Sequence, residues 1–380
     1  MSPTLRLAAP LMALGLVLAP AHGQEAARQP ADLVRSLQTL QDEIALGSAG
    51  THLSQRARLA QIAEQLALAK PEVWKEPRNA RAAVTFVLSG GDPRILKKLS
   101  EGGMLSALDA KLVQGVVAYG EGRSAEAAEL LVPIAARWLE PGIAGHLALV
   151  QAELTAGKEP RKALAFFDEA RLLSPGTLIE EAALRRQISL IAAVKDFDRF
   201  DMLAANYLRR FARSVYAASF RQQFAADVAA RDAASAGRMA KLVGALEAVD
   251  APERRDIYLL IAREALIRGK FELARLAGDK AVHLAEAASP EWRRASLYAA
   301  AAFVVGGDME TGMSTLEAMD KAGLDEEDAE LLAAARSVAA EVRRLPAASQ
   351  ASADGPPPGA VEAARQSMAR VDQLIEAVSK

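Results

Sequence analysis

The chain has 380 residues, with 46 basic and 48 acidic side chains, 5% aromatic residues and no cysteine. This nearly neutral charge balance gives no long-range attraction for nucleic acid or anionic lipid. The lack of cysteine excludes a disulfide framework and an N-terminus anchored through a lipidated cysteine.

Residues 1–23 have the pattern of a secretory signal peptide. Arg6 precedes an uncharged apolar run over 7–19, and the small residues Ala21 and Gly23 precede an expected cleavage before Gln24. The run is shorter than the roughly 20 residues that a membrane span needs. We therefore expect export, removal of this segment and no membrane insertion of the mature chain.

Residues 24–110 form a predicted N-terminal helical section. Leu33, Leu37, Leu40 and Ile44 recur at intervals that place them on one helical stripe, and Gly47 follows as a helix stop. A stripe of this kind needs another surface of the protein to cover it. Alanine-rich composition with few β-branched runs favours helix in nearly every later window as well.

Residues 111–345 are predicted to contain degenerate tetratricopeptide-like repeats. Ala163, Phe167, Ala170 and Pro175 have the spacing of a second repeat helix, in which small residues allow close approach and proline ends the hairpin. Related turn patterns follow one another at intervals of 36 to 38 residues. We predict an all-α fold, a tetratricopeptide-like α-helical solenoid of stacked helical hairpins with a C-terminal helix after a Pro-rich linker.

The C-terminal end divides into a linker over 346–360 and an amphipathic helix over 361–380. The linker is rich in Pro, Ala and Gly and cannot pack a core. The helix has an apolar seam at alternating spacings of three and four residues. The seam residues are Val361, Ala364, Met368, Val371, Ile375 and Val378. Two interpretations stay open: the helix folds back to cap the last repeat, or it binds a partner, in which case deleting 346–380 abolishes partner binding.

Two aromatic residues are further candidates for partner binding. Phe220 and Phe224 lie one turn apart in a predicted helix over 215–232, where they could form an exposed pair. Five arginine doublets are interpreted as solvated helix faces because carboxylates are interspersed with them. These doublets are Arg185–Arg186, Arg209–Arg210, Arg254–Arg255, Arg293–Arg294 and Arg343–Arg344.

No motif of a catalytic, metal or cofactor site stands out, and none is predicted. After signal removal the histidines are His52, His146 and His283, which are far apart in sequence and without a metal-ligand motif. The acidic cluster at 196–201 lacks the glycine and the later glutamate of a calcium loop. The cluster at 325–328 is better explained as the cap and first turn of a helix.

Three long stretches carry a family resemblance, at residues 31–45, 76–94 and 166–186. Together they resemble the MotC family of periplasmic motility proteins from rhizobia and their relatives, over about residues 30 to 345. The resemblance implies a non-enzymatic periplasmic factor for flagellar rotation that associates with the periplasmic part of the stator protein MotB. It supplies no binding residues, and it does not include the linker or the tail.

Two other functional classes are weighed against this interpretation. A general periplasmic repeat adaptor for envelope assembly or polymer export would have the same helical repeats. A lytic transglycosylase would need a catalytic glutamate followed by a characteristic segment, and the nearest stretch, 101–105, lacks that context. A partner-binding motility protein is therefore the leading hypothesis.

Overall fold

A computed structural model describes residues 29–230, 236–306, 309–321 and 323–344, together with the single position 369. The predicted signal peptide, the linker and the seam residues of the tail lie outside this part of the chain. Within it, the regular structure consists of helices, without strands, so the all-α prediction is confirmed. No helix among these residues combines the length and the apolar character that crossing a membrane would require.

The N-terminal section contains four α-helices and a short 3-10 helix. The α-helices are α1 (Pro30–Ala45), α2 (Ala49–Leu68), α3 (Pro77–Leu88) and α4 (Pro93–Glu101), and the 3-10 helix is Pro71–Lys75. The predicted stripe of α1 is confirmed at Leu33, Leu37 and Ile44, which are buried, while Leu40 is half-buried. Asp92 caps α4 by accepting a hydrogen bond from the Arg94 amide at 2.9 Å, with Pro93 at the first helical position.

Three helical hairpins follow. Their helices are α5 (Ala110–Gly120) with α6 (Ser124–Leu131), α7 (Pro141–Ala156) with α8 (Pro160–Leu173), and α9 (Leu178–Val194) with α10 (Phe197–Arg210); a 3-10 helix, Ala136–Trp138, precedes α7. Short turns make the two helices of each hairpin antiparallel neighbours. Gly122 takes a φ of 77° in the first turn, and Lys195 takes a φ of 61° in the third, where a side chain is strained.

The remaining helices continue the stack. They are α11 (Ala217–Ala230), α12 (Ala236–Leu246), α13 (Ala251–Ile267), α14 (Phe271–Leu284), α15 (Pro290–Gly306), α16 (Met309–Ala318) and α17 (Glu326–Arg344). Helices α13 and α14 form one hairpin, and α15 and α16 form another. The odd-numbered helices from α7 to α17 pack side by side in chain order. This is the arrangement expected of a solenoid, in which each unit packs mainly on its neighbours.

Small residues hold the hairpins together, as the sequence predicts. Ala163 and Ala170 of α8 are fully buried and Phe167 is 2% exposed, so the predicted roles of these three residues are confirmed. Residues 122, 157, 195 and 269, which belong to the repeated turn patterns, each lie between two helices. The assignment of these hairpins to the tetratricopeptide class, and the proposed domain boundaries, stay predictions.

Helix α1 packs against α2 across a short turn, and it also makes contacts outside this pair. It runs parallel to α3, because the Ala31 amide donates to Asn79 Oδ1 at 3.0 Å and Gln41 Nε2 donates to the Ser89 carbonyl at 3.1 Å. Helix α1 packs against both α3 and α9, and α7 packs against the same two helices. The four helices α1, α3, α7 and α9 therefore form a ring, which we call the α1 ring.

Candidate partner-binding cleft

A cleft of about 370 Å³ opens between α1 and the opposite side of the α1 ring. Both polar and apolar groups line it, as in surfaces that bind polypeptide segments. The lining includes Arg35, Gln38, Thr39 and Asp42 from α1, Pro141 and His146 from α7, and Ser174, Thr177 and Leu178 from the turn between α8 and α9.

The C-terminal end of α1 is held against the start of α9 and against the segment before α11. Asp42 accepts a hydrogen bond from the Leu178 amide at 3.1 Å, which places a carboxylate at the N-terminus of a helix. Burial raises the pKa of Asp42 above its ordinary value, and the hydrogen bond from Leu178 opposes that rise. The Val215 amide donates to the Ile44 carbonyl at 3.4 Å. Together with the hydrogen bond from the Ala31 amide to Asn79 at the other end, these contacts fix α1, which forms one wall of the cleft.

The opposite wall depends on a close approach of α7 and the end of α8. Gly145 leaves room for Ser174, because a Cβ at Gly145 would lie 1.9 Å from Ser174 Oγ. His146 is 6% exposed, and its Nε2 lies 3.2 Å from Ser89 Oγ. Burial lowers the pKa of His146 to about 4, so the imidazole is neutral at pH 7.

Two buried carboxylates fix the start of α9 behind the cleft. Glu180 accepts a hydrogen bond from the Gly176 amide at 2.6 Å and pairs with Arg210. Glu181, which is fully buried, accepts from the Tyr207 hydroxyl at 2.6 Å and from Arg185 Nε at 3.1 Å. Burial raises the pKa of Tyr207, and the adjacent carboxylate raises it further. These contacts join α9 to α10 through charges that are paired and hydrogen-bonded.

A second polar group joins α8, α9 and α10. Asp168 accepts from Gln187 Nε2 at 2.8 Å and from Arg171 at 3.2 Å, and it also pairs with Arg199. Gln187 is fully buried and accepts from Arg171 at 3.0 Å. Burial lowers the pKa of Arg171 from its ordinary value, against the effect of the nearby Asp168. The helices around the cleft are thus held by specific polar contacts as well as by apolar packing.

The predicted exposed pair Phe220 and Phe224 is wrong. Phe220 is 3% exposed and Phe224 is 2% exposed, because this face of α11 closes over α9 and α10. The ring of Phe220 lies 3.8 Å from that of Tyr207, and the ring of Phe224 lies 5.5 Å from that of Phe200, centroid to centroid. Both side chains are core residues, and neither is available to a partner.

The other predicted binding residues fall in the tail. Val361, Met368, Val371, Ile375 and Val378 lie outside the described residues. Ala369, which is not a seam residue, is the one described position of the tail, and it is helical and exposed.

The histidines weighed for metal binding do not come together within the described residues, and the acidic cluster at 325–328 includes a helix cap. His52, His146 and His283 belong to three different helices, and the described residues contain no cluster of three or more metal-ligating side chains. Asp325 accepts a hydrogen bond from the Asp328 amide at 2.9 Å, so the prediction of a cap for α17 is confirmed. Asp328 itself is buried and accepts from the Tyr298 hydroxyl at 2.5 Å.

The arginine doublets are only in part the solvated faces that the sequence predicts. Arg343 and Arg344 are largely exposed, as expected. Arg185 pairs with the buried Glu181 and lies 4.7 Å from the centre of the Tyr216 ring. Arg186 pairs with Glu153, and burial lowers its pKa. Arg185 is therefore half-buried against Glu181 beside the α1 ring, whereas Arg186 stays on the exposed surface of α9, as the sequence predicts.

Sequence reasoning missed the cleft and the residues that fix it. Asp42, Asn79 and His146 have no motif, and their partners lie between 48 and 136 positions away in the chain. The paired carboxylates Glu180 and Glu181 carry a signal in the sequence, since acidic residues are common in the first turn of a helix. That signal indicates a helix start and does not indicate burial.

Comparison with known proteins identifies the family. The family model described as "Chemotaxis protein MotC" matches residues 1–379. A protein named "Chemotaxis protein MotC" from Rhizobium meliloti (strain 1021) is 36% identical over 342 residues, which cover 90% of this chain and 77% of that protein. No solved structure matches the chain significantly. The chain therefore belongs to the MotC family of motility and chemotaxis proteins.

Proposed function

We propose that this protein is a non-enzymatic periplasmic factor that binds and stabilises the periplasmic part of the flagellar stator protein MotB, and that flagellar rotation requires it. The observation that carries the proposal is the match of almost the whole chain to a motility family. The signal-peptide pattern of residues 1–23 supports export to the periplasm. Membership of a motility family favours this role over a general periplasmic adaptor or a lytic transglycosylase.

The α1-ring cleft is the surface that we assign to the partner. It is open to solvent at Arg35 and Thr39, while its walls are fixed by Asp42, Asn79 and Gly145. A fixed cleft loses little conformational freedom on binding, which favours affinity. Its mixture of cationic, amide, hydroxyl and apolar groups suits a polypeptide segment that presents both apolar and acidic side chains.

A motility assay in a deletion strain tests the role. We expect a strain without this protein to assemble flagella and fail to swim, and we expect the wild-type gene to restore swimming. The Thr39→Trp variant should not restore it, because an indole at this exposed position of α1 fills the cleft. A matched variant, Gln65→Trp on the exposed face of α2, should restore it. Normal swimming of the deletion strain would contradict the proposed function.

A further inference from the structure

Trp138 differs from every other aromatic residue of the chain in its exposure. All Phe, Tyr and Trp residues lie in the described part of the chain, and Trp138, at 82% exposure, is the one whose side chain is exposed. The others are buried or half-buried. An indole in water contributes nothing to folding through burial, whereas tryptophan is among the residues that contribute most to protein interfaces.

The segment that carries Trp138 is held firmly in place. Trp138 ends the 3-10 helix Ala136–Trp138, which lies between α6 and α7. Gln151 of α7 is fully buried, and its Nε2 donates to the Leu131 carbonyl at 2.8 Å and to the Ile134 carbonyl at 2.7 Å. The chain before the 3-10 helix is thus fixed on α7. A fixed segment that presents an aromatic side chain loses little conformational freedom when a partner binds.

A second exposed apolar side chain lies close to Trp138. Leu172, near the end of α8, is 81% exposed. Arg137 Nε donates to Glu169 Oε1 at 3.1 Å, and this bond attaches the 3-10 helix to α8. Leu172 and Leu173 follow Glu169 by three and four residues, so both are its neighbours on the helix surface. Trp138 and Leu172 therefore both lie next to the Arg137–Glu169 contact, and we call them the Trp138 patch.

The Trp138 patch is continuous with the α1-ring cleft. Leu173, the residue after Leu172, lines the cleft, and so does Pro141, which follows Trp138 by three positions. The patch therefore borders the wall that α7 and the end of α8 provide. An apolar patch at the edge of a cleft is typical of interaction sites.

Two leucines of α2 show what exposure without such a setting looks like. Leu53 and Leu68 are each 83% exposed, as much as the residues of the Trp138 patch. They are separated by about 22 Å along the helix, and neither lines the cleft. Single exposed leucines are common on protein surfaces and need no functional explanation. Leu68 is therefore a matched control for Leu172.

We propose that the Trp138 patch anchors a bulky apolar side chain of the polypeptide segment that occupies the cleft, and that a carboxylate of the same segment pairs with Arg35. The inference rests on the proposed function, since the occupant is the same partner. The side chain of Arg35 is 74% exposed, and its contact with Asp32 is long, at 3.7 Å. Arg35 and the Trp138 patch belong to opposite walls, so two different contacts fix the direction of the bound segment.

Affinity for the periplasmic part of MotB tests the apolar anchor in residues 24–380. Trp138→Ala should bind at least about ten times more weakly than wild type. Leu172→Asp should also bind at least about ten times more weakly, while Leu68→Asp should bind like wild type. All three side chains are exposed, so the variants should unfold at the wild-type temperature. Wild-type affinity of Trp138→Ala, or equal affinities of the two aspartate variants, would overturn the proposal.

Salt dependence tests the contact of Arg35. Arg35→Gln should weaken binding more at low salt than at high salt, because an ion pair at the surface is screened by salt. Arg56→Gln changes an exposed arginine of α2 outside the cleft and should leave both the affinity and its salt dependence unchanged. The same result for the two glutamine variants would remove the carboxylate contact from the proposal.

Fluorine NMR observes Trp138 directly and separates this inference from the proposed function. A chain labelled with 5-fluorotryptophan has three resonances, and Trp138→Phe identifies one of them. Saturation with unlabelled MotB should shift the Trp138 resonance and reduce its response to D2O, while the buried Trp74 stays unchanged. An unchanged Trp138 resonance, with binding that Thr39→Trp weakens, would contradict the inference and leave the proposed function intact. The absence of binding by the wild-type chain would contradict both.

Discussion

The two halves of the molecule are held together by different means. Around the α1 ring, polar contacts between distant parts of the chain fix the helices, as Asn79, Asp42 and Glu181 show. From α13 to α16, small residues let the helices approach closely, as at Gly278 and Gly312. The regular half relies mainly on a repeating pattern of small and apolar residues, beside buried polar contacts such as that of Tyr298 with Asp328, whereas the α1 ring relies on particular pairs of residues. The candidate cleft lies in the half that depends on particular pairs.

The largest effect should come from removing the fully buried carboxylate of Glu181 near the α1 ring. Glu181→Ala leaves the Tyr207 hydroxyl and Arg185 without their shared acceptor and should lower the free energy of unfolding by about 3 kcal/mol. Urea denaturation measures the change. The control Glu129→Ala alters an exposed carboxylate of α6 and should stay within about 0.5 kcal/mol of wild type. Equal effects of the two variants would remove the distinction between the halves.

A pH-dependent effect should follow from His146 in the wall of the cleft. Its pKa in the folded chain is about 4, below the ordinary value of 6.5, so the unfolded chain takes up more protons as the pH falls. The stability that depends on a neutral His146 is fully present above pH 6.5 and is lost progressively as the pH falls toward 4. Between pH 7 and pH 5, the free energy of unfolding of the wild-type chain should fall by about 2 kcal/mol because of His146, and this fall should be missing in His146→Gln.

The comparison for His146 uses urea denaturation at several pH values. His283→Gln changes an exposed histidine of α14 and should keep the wild-type pH dependence. The same slope in wild type and in His146→Gln would show that the buried imidazole is not the cause.

The smallest effects should be of opposite sign at two glycines, one in α16 of the regular half and one in α12. A Cβ at Gly312 would lie 2.8 Å from the Ala300 carbonyl oxygen and 2.9 Å from Phe303 Cβ, so Gly312→Ala should destabilise by roughly 1–2 kcal/mol. A Cβ at Gly244 meets no atom within 4 Å, so Gly244→Ala should stabilise α12 by up to about 1 kcal/mol. Thermal unfolding distinguishes the two, and the same sign for both would refute the close-packing argument.

The sequence predicts the packing within a helical hairpin better than the contacts of the α1 ring, for a physical reason. Ala163, Phe167 and Ala170 act within one hairpin, so their spacing alone indicates what they do. Asp42 and Leu178 are 136 positions apart and come into contact only in the folded chain, so no local spacing predicts this contact. The stripe of α1 could be predicted, but the surface that covers it could not.

Phe220 and Phe224 show the same limit in another form. Their spacing of four residues correctly indicates one helical face, but it does not tell whether that face points to solvent or to Tyr207 and Phe200.

Direct binding to the periplasmic part of MotB is the measurement that tests the central claim most closely. Isothermal titration calorimetry with residues 24–380 should show saturable binding. The Thr39→Trp variant should bind at least about ten times more weakly, a loss of about 1.4 kcal/mol, and Gln65→Trp should bind like wild type. The absence of binding by the wild-type chain, or equal affinities for the two tryptophan variants, would contradict the assignment of the α1-ring cleft to this partner.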